Sequence, residues 1–409
     1  MTAFPLPLTE LLGQYGSYFI YLLVGLAFGA TLETAGFGNS KKLAAQFYFK
    51  DLTVFKVMFT AIIVAMTLIF LSSSIGLLDY NLVWVPPTYL WPGIVGGLIM
   101  GAGFIVGGFC PGTSLVALAT GKIDGIFFVL GVLTGIFLFG ETVSQFAVFF
   151  ESSFMGRFTL PELFGLDYGV VVLAIVVMAL FLFWGAEKVE AAVGGETAQK
   201  APRRALPMAA ALVALAAVSL VIGQPDSDRR WQMIEAEQGA LLEQRSVQIE
   251  PAELLSLMHD SNIKAVLIDV RDERHYNQFH LHDAERMAVG DLATEAERLM
   301  QEPANTVFIT MSNDEALATE AWKVLKAQSL PNVYILEGGV NNWIKTYSDE
   351  SFVADRYVMN RGEDEPAFRF ELAIGSRHPA AEPVEHSEVE FEPKVKLELK
   401  RAPTGGGCG

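Results

Sequence analysis

The sequence predicts a polytopic α-helical membrane domain followed by a water-soluble α/β domain. The membrane part should hold about six transmembrane helices, short re-entrant helices and an internal repeat. Three observations predict this. Charge is almost absent over long runs up to about residue 223, most of the net charge of -17 lies beyond that point, and the second half alternates strand-like with helix-like segments. Of the 409 residues 52% are hydrophobic and only 18% charged, an average over two halves suited to different solvents.

A helix needs about 20 apolar residues to cross the hydrocarbon core. Runs that meet this need are 18–37, 54–77, 90–109, 125–150, 168–186 and the shorter, Ala-rich 206–223. The first run should stay in the mature protein, because residues 1–16 contain no Lys or Arg and no small-residue cleavage site follows. Lys and Arg mark the cytoplasmic loops. Lys41, Lys42, Lys50 and Lys56 lie between spans one and two, Lys122 between three and four, and Lys188, Lys200, Arg203 and Arg204 between five and six. The opposite connections, 78–89 and 151–167, carry acids and only Arg157. Six spans then leave both termini outside, as in a multi-pass protein of the cell inner membrane with its soluble part on the periplasmic or outer side. If the sixth run only skims the interface, the soluble domain is cytoplasmic.

Residues 25–50 match residues 97–122 at an offset of 72. Gly25/Gly97, Leu26/Leu98, Gly29/Gly101, Ala30/Ala102, Gly36/Gly108, Phe37/Phe109, Leu43/Leu115, Ala45/Ala117 and Lys50/Lys122 are identical pairs. Each unit reads as a small-residue-rich span, a break, a short helix and a further span. Small residues let membrane helices approach closely, which needs no function.

The break of the second unit is Gly107-Gly108-Phe109-Cys110-Pro111-Gly112-Thr113-Ser114. Non-helical backbone at membrane depth must be buried in protein or line a watery cavity. Pro111 suits the opening of a short helix over 113–120, whose free N–H groups and positive dipole end would face the break beside Cys110. That makes an anion site with a thiol in it; the plainer alternative is an ordinary kink or turn. In the first unit the matching stretch is Gly38-Asn39-Ser40, with Ser40 a candidate helix cap and Lys41 and Lys42 adding positive charge.

The Gly-rich span, Gly108-Phe109-Cys110-Pro111-Gly112, the short helix and the next span resemble the YeeE/YedE family of thiosulfate-uptake membrane proteins over residues 25–140. The resemblance implies a pore of paired broken helices in which thiols, here Cys110, contact the sulfur end of thiosulfate. A polarizable, weakly donating thiol suits a soft anion that is held briefly and released. Full-length relatives carry more repeat units and more pore cysteines, and this chain has Gly38 at the position matching Cys110. A homodimer would restore the unit count and supply two Cys110 thiols. Two acids stand at or near the spans. Glu33 reads as a pathway residue or an interfacial carboxylate, and Glu141 as a buried contact or a proton-linked group.

Beyond residue 247 the strand-like runs are 265–271, 306–310 and 333–336, with helix-like runs 251–258 and 315–328 between them, the alternation of a parallel α/β sheet. Asp269-Val270-Arg271 with Tyr276 and His280, and Leu336-Glu337-Gly338-Gly339-Val340-Asn341-Asn342-Trp343, resemble the rhodanese family over 247–347. Members place a catalytic Cys after the central strand, in a loop whose amides cradle a persulfide. Here the loop reads Met311-Ser312-Asn313-Asp314-Glu315. Met311 has no proton to lose and forms no persulfide, and Asp314 and Glu315 oppose an anionic donor. The domain is expected to be inactive as a sulfurtransferase, to bind rather than catalyse, and to use Arg271 structurally.

The expected domains are a membrane domain over 1–223, a linker over 224–246, the rhodanese-like domain over 247–348, a charged Pro-containing extension over 349–401 and a Gly-rich tail over 402–409. The ending Gly405-Gly406-Gly407-Cys408-Gly409 resembles that of the sulfur-carrier proteins of thiosulfate oxidation, which implies a swinging arm with Cys408 as the carrier thiol; an incidental tail cysteine is the alternative. The sequence shows no catalytic set, no metal-ligand cluster, no cofactor motif and no basic patch for nucleic acid. The expected function is transport of thiosulfate or a related sulfur anion, with an appended docking module whose partner is a soluble sulfurtransferase or sulfur-carrier protein. The competing reading is a membrane-anchored sulfur carrier or sensor that works through Cys408 without transport.

Overall fold

The structure, a computed structural model, describes residues 4–6, 8–83, 85–193, 205–370, 377–384 and 389–398. The chain divides near Gln224 into a membrane unit and a soluble unit.

The helices of the membrane unit are α1 (Leu8–Thr34), α2 (Ser40–Ala45), α3 (Thr53–Ser74), α4 (Leu90–Gly107), α5 (Pro111–Ala119), α6 (Ile123–Thr142), α7 (Ala147–Phe150), α8 (Leu160–Phe164), α9 (Tyr168–Val193) and α10 (Ala205–Ile222). Among the described residues, five helices are long and apolar enough to cross a membrane, or up to six. The short sixth run is α10, and it lies antiparallel to α9: Gly169, at the start of α9, leaves room for the Leu220 backbone near the end of α10. Just past α10, the Gln224 side-chain amide donates to the Phe70 carbonyl (3.1 Å) and the Ser74 hydroxyl (2.9 Å) at the end of α3. Ile63 of α3, Val172, Val176 and Ala179 of α9 and Ala216 of α10 bury one another.

The ends of the unit differ in character. At one end the Thr88 amide donates to the Gly156 carbonyl (2.7 Å) and the Asp79 amide to that of Phe4 (2.9 Å), so both acidic connections and the N-terminal segment meet there, as Gln224 does through α3. Lys56, Lys122 and Lys188 stand toward the other end, at the starts of α3 and α6 and the last turns of α9.

The repeat is structural. Helices α1, α2 and α3 are followed in the same order by α4, α5 and α6, and backbone exceptions recur 72 residues apart: Gly36 and Gly108 both have positive φ (81° and 71°), as do Phe49 and Gly121 (55° and 72°). Gly36 and Gly108 turn the chain out of the long helices α1 and α4, where a side chain would be strained. Phe37 and Phe109, which follow them, are both 1% exposed and share one cluster with Leu43, Val54 and Ala117.

Among its described residues the soluble unit contains α11 (Ser227–Glu243), β1 (Gln248–Ile249), α12 (Pro251–His259), β2 (Lys264–Asp269), α13 (Glu273–Gln278), β3 (Glu285–Arg286), α14 (Leu292–Leu299), β4 (Thr306–Met311), α15 (Ala316–Ala327), β5 (Val333–Leu336), α16 (Gly339–Tyr347) and α17 (Glu350–Arg356). The strands form one parallel sheet in the order β1-β5-β4-β2-β3. The runs expected as strands are β2, β4 and β5; β1 and β3 have two residues each, too few to show a period. The stretch 224–246, expected as a linker, holds α11, capped by Asp226 and packed with its Trp231 ring 6.0 Å from that of Trp322.

The charged extension also belongs to this fold. Ala367, Phe368, Ala380 and Ala381 join the core around Trp322, Trp343 and Phe308, and the Trp343 indole donates to the Ala380 carbonyl (2.6 Å). Farther on, the chain is held by side chains. Glu253 accepts the Lys394 and Val395 amides (2.8 and 2.7 Å), Tyr334 Oη accepts that of Lys396 (2.8 Å) and Asn332 that of Glu398 (2.7 Å). Cys408 and the Gly-rich tail lie outside the described residues.

Candidate functional site

The second break forms where Gly108 closes α4 in the left-handed conformation and Pro111, with its fixed φ and missing N–H, opens α5. Cys110 is the N-cap of α5. Its Sγ accepts the Thr113 amide (3.4 Å) and lies 3.2 Å from Thr113 Oγ1, which in turn accepts the Cys110 amide (3.0 Å). The thiol therefore sits on the donor end of a nine-residue helix, half-buried, with Gly112 in the first turn behind it. Thr113 and Ser114 are buried, and Ser114 Oγ donates to the Pro111 carbonyl (2.7 Å), closing the turn. The helix start thus presents the Thr113 amide and hydroxyl beside a polarizable sulfur.

The first break is tied to the second rather than standing apart. Asn39, not Ser40, caps α2 by accepting the Lys41 amide (3.1 Å). Both residue types are good caps, and Ser40 is instead engaged across the repeat, its hydroxyl donating to Asp124 at the start of α6 (3.2 Å). Ser40 also packs on Gly108, where a Cβ would lie 3.0 Å from its backbone carbonyl oxygen. Lys42 Nζ donates to the Ala35 carbonyl (2.8 Å), while Lys41 is exposed.

Gly38 stands where the second unit has Cys110, and the structure gives a reason for the glycine. Glu33 and Lys122 form an ion pair (3.2 Å) over it, and a Cβ on Gly38 would collide with the Glu33 carboxylate and lie 2.7 Å from Lys122 Nζ. Glu33 is thus a paired carboxylate within the break region, and its charge is offset by Lys122. Glu141 lies in the last turn of α6, exposed on this chain and inside the apolar stretch Ile123–Phe150. A second pair went unread in the sequence: Glu190, 3% exposed on α9, binds Lys56 Nζ (2.6 Å) and accepts the Leu52 amide (3.3 Å) at the start of α3. The repeat itself marked Lys122, through its identity with Lys50; nothing marked Glu190.

In the soluble unit, Met311 ends β4 fully buried, and Ser312 and Asn313 behind it are buried too. Ser312 Oγ accepts the Ala318 amide (3.2 Å). Asp314 is bound by Arg361 Nη1 and Asn341 Nδ2, both 2.9 Å away. Glu315 accepts the Gly338 amide (2.7 Å) and binds Arg245 (2.8 Å), a hydrogen bond that raises the Arg245 pKa above its ordinary value. Arg271 is 3% exposed, paired with Asp269 (2.6 Å) and donating to the Phe279 carbonyl (2.7 Å), a structural arrangement that also reaches Asn313 (3.3 Å). Asp364, which the sequence did not single out, reaches this loop from the extension. Its Oδ1 accepts the Asp314 amide (2.7 Å), its Oδ2 the Leu317 amide (2.8 Å), and its carbonyl the Asn313 side-chain amide (2.6 Å).

Comparison with known families gives two matches. A family described as Sulphur transport matches residues 34–233, which includes both breaks, and one described as Rhodanese-like domain matches residues 250–346. No curated protein matches the chain.

Proposed function

From the premise that this chain carries a sulphur-transport domain of the YeeE/YedE type, with several membrane-capable helices, followed by a rhodanese-like domain, we propose that it moves thiosulfate or a closely related sulfur anion across the membrane past Cys110. The observation that carries this reading is the position of Cys110 Sγ at the N-cap of α5, beside the Thr113 amide and hydroxyl, in the break that the two repeat units build together. A sulfur anion meets a polarizable thiol there, and main-chain donors at a helix start offset its charge. The pair Glu33–Lys122 leaves no net negative charge of its own beside the path.

The rhodanese-like domain is a docking module rather than a sulfurtransferase, since Met311 replaces the nucleophile and is buried, and the Asp364 carboxylate already takes two of the loop amides. Its partner is a soluble sulfurtransferase or sulfur-carrier protein, and Cys408 is the thiol that presents or receives sulfur. The lysines gathered at one end of the membrane unit put that end in the cytoplasm, so Gln224 and the domain after it face the outer side of the inner membrane. A homodimer supplies the second Cys110; glycines 93, 97 and 101 on α4 leave open space where a second copy's helix packs closely.

The test is uptake of radiolabelled thiosulfate by cells lacking their own uptake route. Wild type should accumulate label, Cys110→Ala should lose most of it at equal membrane insertion, and Cys408→Ala reports whether the arm is part of the path. Correctly inserted wild type that moves no label defeats transport and leaves the anchored carrier.

A further inference from the structure

The rhodanese-like loop has lost its cysteine but not its amides, and what those amides hold is on the page. Between Ser312 and Ala318 the chain turns from β4 into α15, and two of the N–H groups of this turn converge on one acceptor. Ser312 Oγ takes the Ala318 amide, and the amides of Asp314 and Leu317 are both taken by one carboxylate, that of Asp364, which comes from 47 to 50 residues farther along the chain.

Asp364 is not there by chance of a loose surface segment. Tyr357 and Phe368 bridge, the Val358 amide donates to the Ala367 carbonyl (2.9 Å), and Asp364 sits between them with φ at 57°. The base of this hairpin is fixed by Ala367 and Phe368 in the core and by Asn341, whose Oδ1 accepts the Ala367 amide (2.7 Å). Arg361, on the same hairpin, binds Asp314, so the strap that brings in one carboxylate also brings the cation that neutralises its acidic neighbour.

We propose that this loop is an oxyanion cradle which the chain fills itself, with the Asp364 carboxylate as resident ligand and a small oxyanion of carboxylate size as the external ligand it excludes. The two oxygens, each on its own amide, reproduce what a free carboxylate or sulfur oxyanion would accept there. Such bonds from amides to a charged acceptor are stronger than neutral ones, so a tethered carboxylate outcompetes dilute anions. The domain thus rests in a liganded state without any ligand, and removal of Asp364 should create a binding site where wild type has none. This holds whether or not the membrane unit transports.

The experiment uses the full chain in detergent, with hydrogen–deuterium exchange read on peptides covering 311–320. Two variants tolerate the left-handed backbone at 364: Asp364→Gly, which empties the cradle, and Asp364→Asn, which fills it without charge. In wild type the loop amides should be protected equally in sodium formate, sodium sulfate and sodium chloride of the same ionic strength. In Asp364→Gly exchange should rise about tenfold, the loss of hydrogen bonds to a charged acceptor, and formate or sulfate, but not chloride, should restore protection. Asp364→Asn should lose less protection and gain nothing from formate. Protection in Asp364→Gly that no oxyanion restores would overturn the proposal, as would exchange equal to wild type. Should the glycine variant not fold, Asp364→Asn decides: weaker protection of the loop than wild type supports the cradle, and unchanged protection overturns it.

Discussion

The two repeat units of the membrane half began from one plan and solve the same local problems with different chemistry. Position 38 of the first unit is filled from outside by the Glu33–Lys122 pair, while position 110 of the second carries its own thiol. At the start of the following helix the contrast recurs. Lys56 in the first unit is anchored to Glu190 of α9, whereas its counterpart in the second, Phe128, packs edge-on to Phe109 with ring centroids 5.7 Å apart. The first unit is joined by charge to its neighbours, and the second holds a thiol at the break. Duplication thus allows one copy to stabilise what the other exposes.

That division of labour can be broken at defined points. The largest effect should come from Glu190→Gln, which leaves Lys56 with a neutral partner and takes charge from a nearly closed site. Because the Lys56 side chain is 24% exposed, the cost should fall below that of a fully buried pair, at about 3 kcal/mol. Thermal unfolding of the full chain in detergent checks it, and a loss no greater than that of Glu187→Gln, an acid in the preceding turn of α9, would mean that this link is not electrostatic. Next is Gly38→Ala, whose methyl group must push aside the tips of two part-exposed side chains, at about 1 kcal/mol. The double variant Glu33→Ala/Gly38→Ala should be less damaging than the sum of its parts, since the two sites compete for one space. Smaller is Asn39→Ala, which removes the cap of the six-residue α2 at about 0.5 to 1 kcal/mol. Cys110→Ala should cost less stability than Asn39→Ala, because Thr113 Oγ1 still accepts the amide of residue 110, while costing far more in uptake. Equal stability losses would show that Cys110 is only a cap.

Much of this architecture was legible because it follows from short-range rules. Pro111 after a glycine-rich span announced α5, the 72-residue offset announced the paired breaks, and the apolar runs of β2, β4 and β5 announced the parallel sheet. What escaped is long-range pairing among residues that look ordinary alone. Glu33 and Lys122 are 89 residues apart, Ser40 and Asp124 are 84 apart, and Glu190 and Lys56 are 134 apart. Asn39 and Ser40 are adjacent and equally able to cap; only the position of Asp124 assigns one to the cap and the other to the bridge. Asp364 lies in a charged, Pro-containing stretch whose composition hides the four buried alanine and phenylalanine residues that anchor it. Composition reports the average environment of such a stretch, and a few buried residues do not move that average.

The hold of Asn332, Tyr334 and Glu253 on residues 394–398 makes that stretch a strap between α12 and the start of β5. Glu253 is 3% exposed, and one of its oxygens takes both the Lys394 and the Val395 amide. Peeling the strap away therefore leaves a buried carboxylate without its main-chain donors, a costly state. A stretch that composition alone assigns to solvent is thus part of what closes the domain.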